Sequence, residues 1–209
     1  MKVMKTRLVL LVAMLTALVG CNIQTGPVRF AKGAVKNVET IVCLRHAEKP
    51  SGDLGQLNCR GLNRSLALPG VLLAKYGSPQ FIFASNPAQK IEGYNYVRAL
   101  ATIEPTAIRC GLPVNTQFGA GEIDCLQQEL QKPEYKNATI FVAWEHNALD
   151  RFVKKLVSAN GGSSWRVPSW PDGDFDTIFV VRITRAGGQQ SVAFSIDHEG
   201  LNNLSNHCP

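Results

Sequence analysis

No Gly-x-Ser-x-Gly elbow, no His-Glu-x-x-His pair and no Cys-x-x-Cys occurs in the chain. The serine-hydrolase turn, the zincin site and the common thiol-redox or zinc spacing therefore have no footing. Internal repeats and low-complexity tracts are also missing, and the 18 Gly and 11 Pro follow no collagen-like period. Charge is sparse, at 18% of residues against 45% hydrophobic. A disordered chain is excluded, because that much apolar surface offsets the entropy of ordering the backbone. The length of 209 residues points to one compact domain. The net charge of +6 owes half its excess to Lys2, Lys5 and Arg7, which no acid accompanies before Cys21. What remains is too little to suggest a polyanion, so no nucleic-acid partner is expected.

Those three basic residues precede an apolar run from Leu8 to Val19, the order of a secretory signal. As a helix the run spans about 18 Å, short of the roughly 30 Å hydrocarbon core that a permanent span must cross. Leu18-Val19-Gly20-Cys21 resembles the bacterial lipobox, which implies lipidation of Cys21. The expected organisation is a lipoprotein signal peptide over 1–20, a tether over 21–36 and a folded domain over 37–209. Acyl chains on Cys21 would hold the domain at the cell envelope, facing the periplasm, and Asn22 after the cysteine favours the outer membrane. Five cysteines remain: Cys43, Cys59, Cys110, Cys125 and Cys208. Disulfides persist outside the cytoplasm, and an odd count leaves a thiol free. Cys43, inside the apolar run Thr40–Leu44, is expected to be that thiol. Among the remaining pairings, Cys110 with Cys125 closes the shortest loop.

Glu39–Arg45, Phe81–Ala84 and Thr139–Trp144 are short, apolar and rich in strand formers. Between them lie helix-length stretches. Leu62–Tyr76 should end at Gly77, with Pro69 bending it or opening a second segment. Tyr94–Ile103 should stop before Pro105, and Ile123–Gln131 before Pro133. Ala148–Ala159 sets Leu149, Phe152, Val153, Leu156 and Val157 on one helical stripe. Thr177–Ile183 and Ser191–Ile196 read as a hairpin turning at Ala186-Gly187-Gly188. Strands separated by helices predict an α/β three-layer sandwich, a mostly parallel sheet with helices on both faces. Ligands of such sheets sit beyond the carboxyl ends of the strands.

Two strand ends carry the chemistry. The first runs into Leu44-Arg45-His46-Ala47-Glu48, the third into Trp144-Glu145-His146-Asn147. Arginine matches phosphate with a planar fork of donors. Histidine can attack phosphorus when one ring nitrogen is bare and the other N–H is held by an acceptor.

With these residues the chain resembles the histidine phosphatase superfamily, of phosphoglycerate-mutase-like fold, whose mark after the first strand is Arg-His-Gly/Ala. Leu57–Ser65 resembles the family's Leu-Thr-x-x-Gly-x-x-Arg-Ala stretch, Ala84–Pro87 its second strand end, Arg98–Thr102 its Arg-Ala-x-x-Thr helix start, and Val142–His146 the strand before its second histidine. The resemblance implies a metal-independent, cofactor-free phosphomonoester hydrolase. His46 would be the nucleophile, forming a phosphohistidine. Arg45, Arg98 and His146 would bind the phosphoryl oxygens. Glu122, in Phe118–Glu122, would protonate the leaving oxygen, with Asp124, Glu48 and Glu145 as alternatives. Asn147 stands where the acid-phosphatase branch has its Asp, which disfavours that branch. The spacing departs from the family between Ser85 and Arg98: either Lys90 replaces the pocket arginine or Lys90–Tyr96 is an insertion. Glu48 could orient His46 or sit in a first helical turn. Trp165 and Trp170 read as loop packing, and His198 and His207 as bystanders. The expected substrate is a phosphorylated small molecule or an envelope glycolipid phosphate. The competing expectation is an inactive envelope lipoprotein of the same fold that binds a phosphate ligand.

Overall fold

The computed structural model describes residues 36–209. The expected signal peptide, lipidated Cys21 and all but the last residue of the tether lie outside the described residues.

Strand β1 (Asn37–Arg45) forms because its β-branched and apolar run can be buried on both faces, and Ile41 to Leu44 are fully buried. Helix α1 (Cys59–Tyr76) follows, capped by the Asn58 side chain accepting from Gly61 N and closed by Gly77 at φ 72°. Then come β2 (Phe81–Ala84), a two-stranded hairpin of β3 (Lys90–Ile91) and β4 (Tyr94–Asn95), α2 (Arg98–Cys110) and β5 (Val114–Asn115). The remainder is α3 (Ile123–Glu129), β6 (Thr139–Trp144), α4 (His146–Ala159) and the long hairpin β7 (Thr177–Ala186) and β8 (Gln189–His198).

The six-stranded sheet has the order β5-β2-β6-β1-β7-β8. β1, β2, β5 and β6 run parallel, and β7 and β8 close the edge antiparallel. On one face Ile41, Cys43, Val142 and Phe179 pack with Leu126 of α3 and Leu149 and Phe152 of α4. On the other, Val42, Leu44, Phe141 and Val180 pack with Leu68 and Leu72 of α1 and Ala99 and Ile103 of α2. This is the three-layer, mostly parallel sandwich that the alternation of elements predicts.

α3 stops before Pro133 and α1 ends at Gly77 as expected, but α2 does not stop before Pro105. α1 runs through Pro69 and α2 through Pro105. Each proline removes a single backbone bond, and the buried stripe of α2, from Ala99 through Thr102, Ile103 and Thr106 to Ala107, keeps the helix on the sheet. Tyr94, expected at a helix start, belongs to the β3–β4 hairpin instead. The cysteines also depart from expectation. Cys59 is bonded to Cys208, and Cys110 and Cys125 are free along with buried Cys43. Sequence spacing favoured a short loop, but the fold brings the carboxyl-terminal tail against the start of α1. There Asn63 donates to the Ser205 and His207 carbonyls at 3.0 and 2.8 Å.

Candidate active site

β1 and β6 are paired so that Arg45 lies opposite Trp144, and His46 N donates to the Trp144 carbonyl at 2.9 Å. That register sets His46 and His146 side by side at the carboxyl end of the sheet. Both are buried, as are Arg45, Arg98 and Ser85.

His46 Nδ1 lies 2.8 Å from the Ala47 carbonyl. A carbonyl only accepts, so Nδ1 carries the proton and Nε2 of the neutral ring is bare. Burial, helped by the charges of Arg98 and Arg45, pushes the His46 pKa down to about 3. The ring therefore stays neutral across the physiological range, the state a nitrogen nucleophile needs. Its walls are the Tyr96 ring at 6.1 Å and the Phe175 ring at 6.2 Å.

Arg45 is stretched across the pocket. Its guanidinium stacks 4.1 Å over Phe175 and donates to the carbonyls of Asp172 and, at 3.1 Å, Asp174. Burial lowers its pKa despite the nearby carboxylates of Glu145 and Asp172. Arg98 opens α2 and stacks 4.3 Å over Tyr96. Its guanidinium is bound by both oxygens of Asp53. Burial works against that charge, but Asp53 outweighs it and the Arg98 pKa rises. Between Ser85 and Arg98 stands the β3–β4 hairpin, in which Lys90 is exposed, whereas Arg98 is buried.

His146 starts α4. Its Nε2 is 2.8 Å from Asp172 Oδ1, and its Nδ1 is 2.7 Å from Glu145 Oε1 without hydrogen-bond alignment. Five buried polar atoms here have no hydrogen-bond partner among the described residues: Arg45 Nε, Arg98 Nε, His146 Nδ1, Ser85 Oγ and the Tyr96 hydroxyl. Buried donors left open in one place call for an acceptor, and donors on two arginines favour an anion.

The four candidate acids separate cleanly. Glu48 is a partner of buried Arg64, with 2.9 and 2.8 Å hydrogen bonds, and neither orients His46 nor lies in the first turn of a helix. Glu145 caps α4 through Asn147 N and Ala148 N. Asp124 is exposed and paired with Lys155 at 2.8 Å. Glu122 is exposed at the same end of the sheet as the histidines, where its carboxylate accepts from Gly119 N at 2.7 Å. Its loop is fixed by Trp144 Nε1 donating to the Ala120 carbonyl and by Asn86 N donating to the Phe118 carbonyl.

Sequence reasoning missed Asp53 and Asp172, whose carboxylates lie on Arg98 and on His146. No local pattern marks either one. Asp53 has φ 43° after Gly52 in a loop, and Asp172 lies in the segment read only as packing. Trp170 does pack there, 4.4 Å from Phe179, while Trp165 is exposed. Among the described residues no group of three His, Cys, Asp or Glu side chains could hold a metal ion.

The layering and sheet order are those of the phosphoglycerate-mutase-like fold. The chain is similar to the solved structure of a candidate phosphohistidine phosphatase, SixA, from Nakamurella multipartitia. The TM-score is 0.54 at 16% identity, covering 78% of this chain and 96% of that one. It is also similar to phosphoglycerate mutase from Plasmodium falciparum, with TM-score 0.51, 15% identity and coverage of 83% and 95%. A mycobacterial glucosyl-3-phosphoglycerate phosphatase matches with TM-score 0.50, 15% identity and coverage of 82% and 100%. No protein-family model matches the chain, and no curated protein matches it.

Proposed function

We propose that the chain is a phosphomonoester hydrolase that works through a phosphohistidine at His46 and needs no metal. The observation that carries this reading is the bare Nε2 of a neutral, buried His46, placed among open donors of Arg45 and Arg98. His46 Nε2 attacks phosphorus as the bond to the leaving oxygen breaks, and Glu122 gives that oxygen its proton. Water then attacks the phosphohistidine, the Glu122 carboxylate takes the water's proton, and the N–P bond breaks to release phosphate. Glu122 stands at the N-cap position of α3, but among the described residues its carboxylate caps no helix N–H and pairs with no cation, accepting only from Gly119 N, which leaves it the freest of the four candidate acids. The arginines and His146 carry the charge of the transferring group, the kind of preorganised stabilisation that dominates phosphoryl transfer.

The signal-like start and Leu18–Cys21 support a lipid-anchored place in the bacterial envelope, facing the periplasm and at the outer membrane. The Cys59–Cys208 bond fits an oxidising compartment. A phosphorylated small molecule or a glycolipid phosphate would be the substrate there.

Release of p-nitrophenol from p-nitrophenyl phosphate in the presence of EDTA tests the reading. His46→Ala should abolish it, and turnover that survives this change would mean another nucleophile. A second reading, a binding protein without turnover, is favoured by the Asp53 and Asp172 carboxylates lying on Arg98 and His146, where substrate oxygens would go. Phosphate binding without hydrolysis by the unaltered protein would establish it.

A further inference from the structure

Tyr96 is fully buried, and while its hydroxyl oxygen lies against the Arg98 guanidinium, its proton meets no acceptor among the described residues. Leaving a buried phenol proton without an acceptor carries the full desolvation penalty of that group. The ring alone does not require that cost. Its face supports Arg98 at 4.3 Å and it meets the His46 ring at 84° and 6.1 Å. A phenylalanine would supply both ring contacts, and the pull of Arg98 engages only the hydroxyl oxygen, so the buried proton needs a reason of its own.

Its placement suggests one. The β3–β4 hairpin, turning through Glu92 at φ 51° and Gly93 at φ 88°, delivers Tyr96 to the pocket, where its N–H donates to the Gln89 carbonyl at 2.8 Å. The hydroxyl lies within electrostatic reach of Arg45, Arg98 and Glu145, the residues that line the site from β1, α2 and β6. Burial raises its pKa, so it remains a neutral donor. A free donor on a ring that touches both Arg98 and the unprotonated His46 belongs to the pocket where negative charge must sit.

We propose that the Tyr96 hydroxyl is a further catalytic group, donating a hydrogen bond to a non-bridging oxygen of the phosphoryl group while His46 attacks. This rests on the reading that the pocket takes a phosphoryl group. Tyr96 keeps its proton throughout; it adds a fixed dipole where the equatorial oxygens gather charge.

The test compares the unaltered protein, Tyr96→Phe and His46→Ala. The readouts are turnover of p-nitrophenyl phosphate, competition by orthovanadate, binding of inorganic phosphate by calorimetry, and the melting temperature. Tyr96→Phe should keep the melting temperature and lower kcat and vanadate affinity by about tenfold to a hundredfold. That is at or below the loss of one oxyanion-hole donor, because the arginines remain. Fluorotyrosine at position 96, which keeps the hydroxyl, should restore vanadate affinity; failure to do so assigns the loss to packing and overturns the proposal. Unchanged kcat and vanadate affinity in Tyr96→Phe, with His46→Ala inactive, also overturns the role of Tyr96 and leaves the phosphatase reading intact. If the unaltered protein binds phosphate without turnover, weaker phosphate binding by Tyr96→Phe still supports the hydroxyl as a donor. No binding of phosphate or vanadate by the unaltered protein removes the reading and the proposal together.

Discussion

The guanidinium of Arg98 is bound by both carboxylate oxygens of Asp53, which is itself held by Lys49 at 2.9 Å. The arginine best placed to grip a phosphate is thus already paired. Arg98 holds the Asp53 carboxyl down at about 2, so the competitor is ionised wherever the protein is folded. Asp172 repeats the arrangement at His146, with a side chain 95% exposed that can turn outward at little cost. A phosphate must displace both carboxylates.

Asp53→Asn should therefore bind inorganic phosphate several-fold more tightly, because the amide competes less well for Arg98. Calorimetric titration measures it. Weaker binding would instead make Asp53 a positioning residue that holds Arg98 in place.

The buried His46 contributes an acid-sensitive term to stability. Its folded pKa of about 3 lies below its ordinary value of 6.5, so between these the unfolded chain binds the extra proton. Stability should fall as pH drops from about 6.5 towards 3. His46→Gln removes this term, and its melting temperature should fall less than that of the unaltered protein between pH 7 and pH 5.

A second buried group acts in the opposite sense. Arg64, fully buried in α1, is shared by Glu48 and by Glu199 at 2.6 Å, with Asp176 at 3.7 Å. Burial raises Glu199 to about 8, against the pull of Arg64. The folded state then holds a proton that the unfolded state loses above about 4.5, so stability should decline as pH rises from there to about 8. Glu199→Gln should flatten this decline, read as unfolding free energy at pH 6 and pH 9. Arg64→Ala leaves acids buried without their cation and should cost about 3–5 kcal/mol.

The Cys59–Cys208 bond spans 149 residues of chain. Closing so long a loop restricts the unfolded ensemble, and its removal should cost about 3–5 kcal/mol. Cys208→Ser should lower the urea midpoint, and a reductant should do the same to the unaltered protein while leaving the variant unchanged. The buried Cys43 thiol, whose pKa burial raises, should resist alkylation until the chain unfolds.

Local patterns carried the sheet. Phe81–Ala84 and Thr139–Trp144 are strands with the bounds that their apolar runs suggest, because a strand buried on both faces must be continuously apolar. The sites at strand ends were legible for the same reason. Polar Arg45-His46 and Glu145-His146 directly after such runs can only sit where the sheet stops. The two-residue strands were not legible, since β3, β4 and β5 are too short to show a period.

By itself the chain determined the longer strands of the sheet and set each histidine just beyond the end of one, because apolar runs are local properties; the β1–β6 register that brings the two ends together is tertiary. Tertiary structure alone decided the carboxylate partners and the disulfide. Asp53 on Arg98, Asp172 on His146 and Cys59 with Cys208 join residues far apart in the chain. Which of them come into contact depends on how loops fold back over the sheet, and spacing does not encode that.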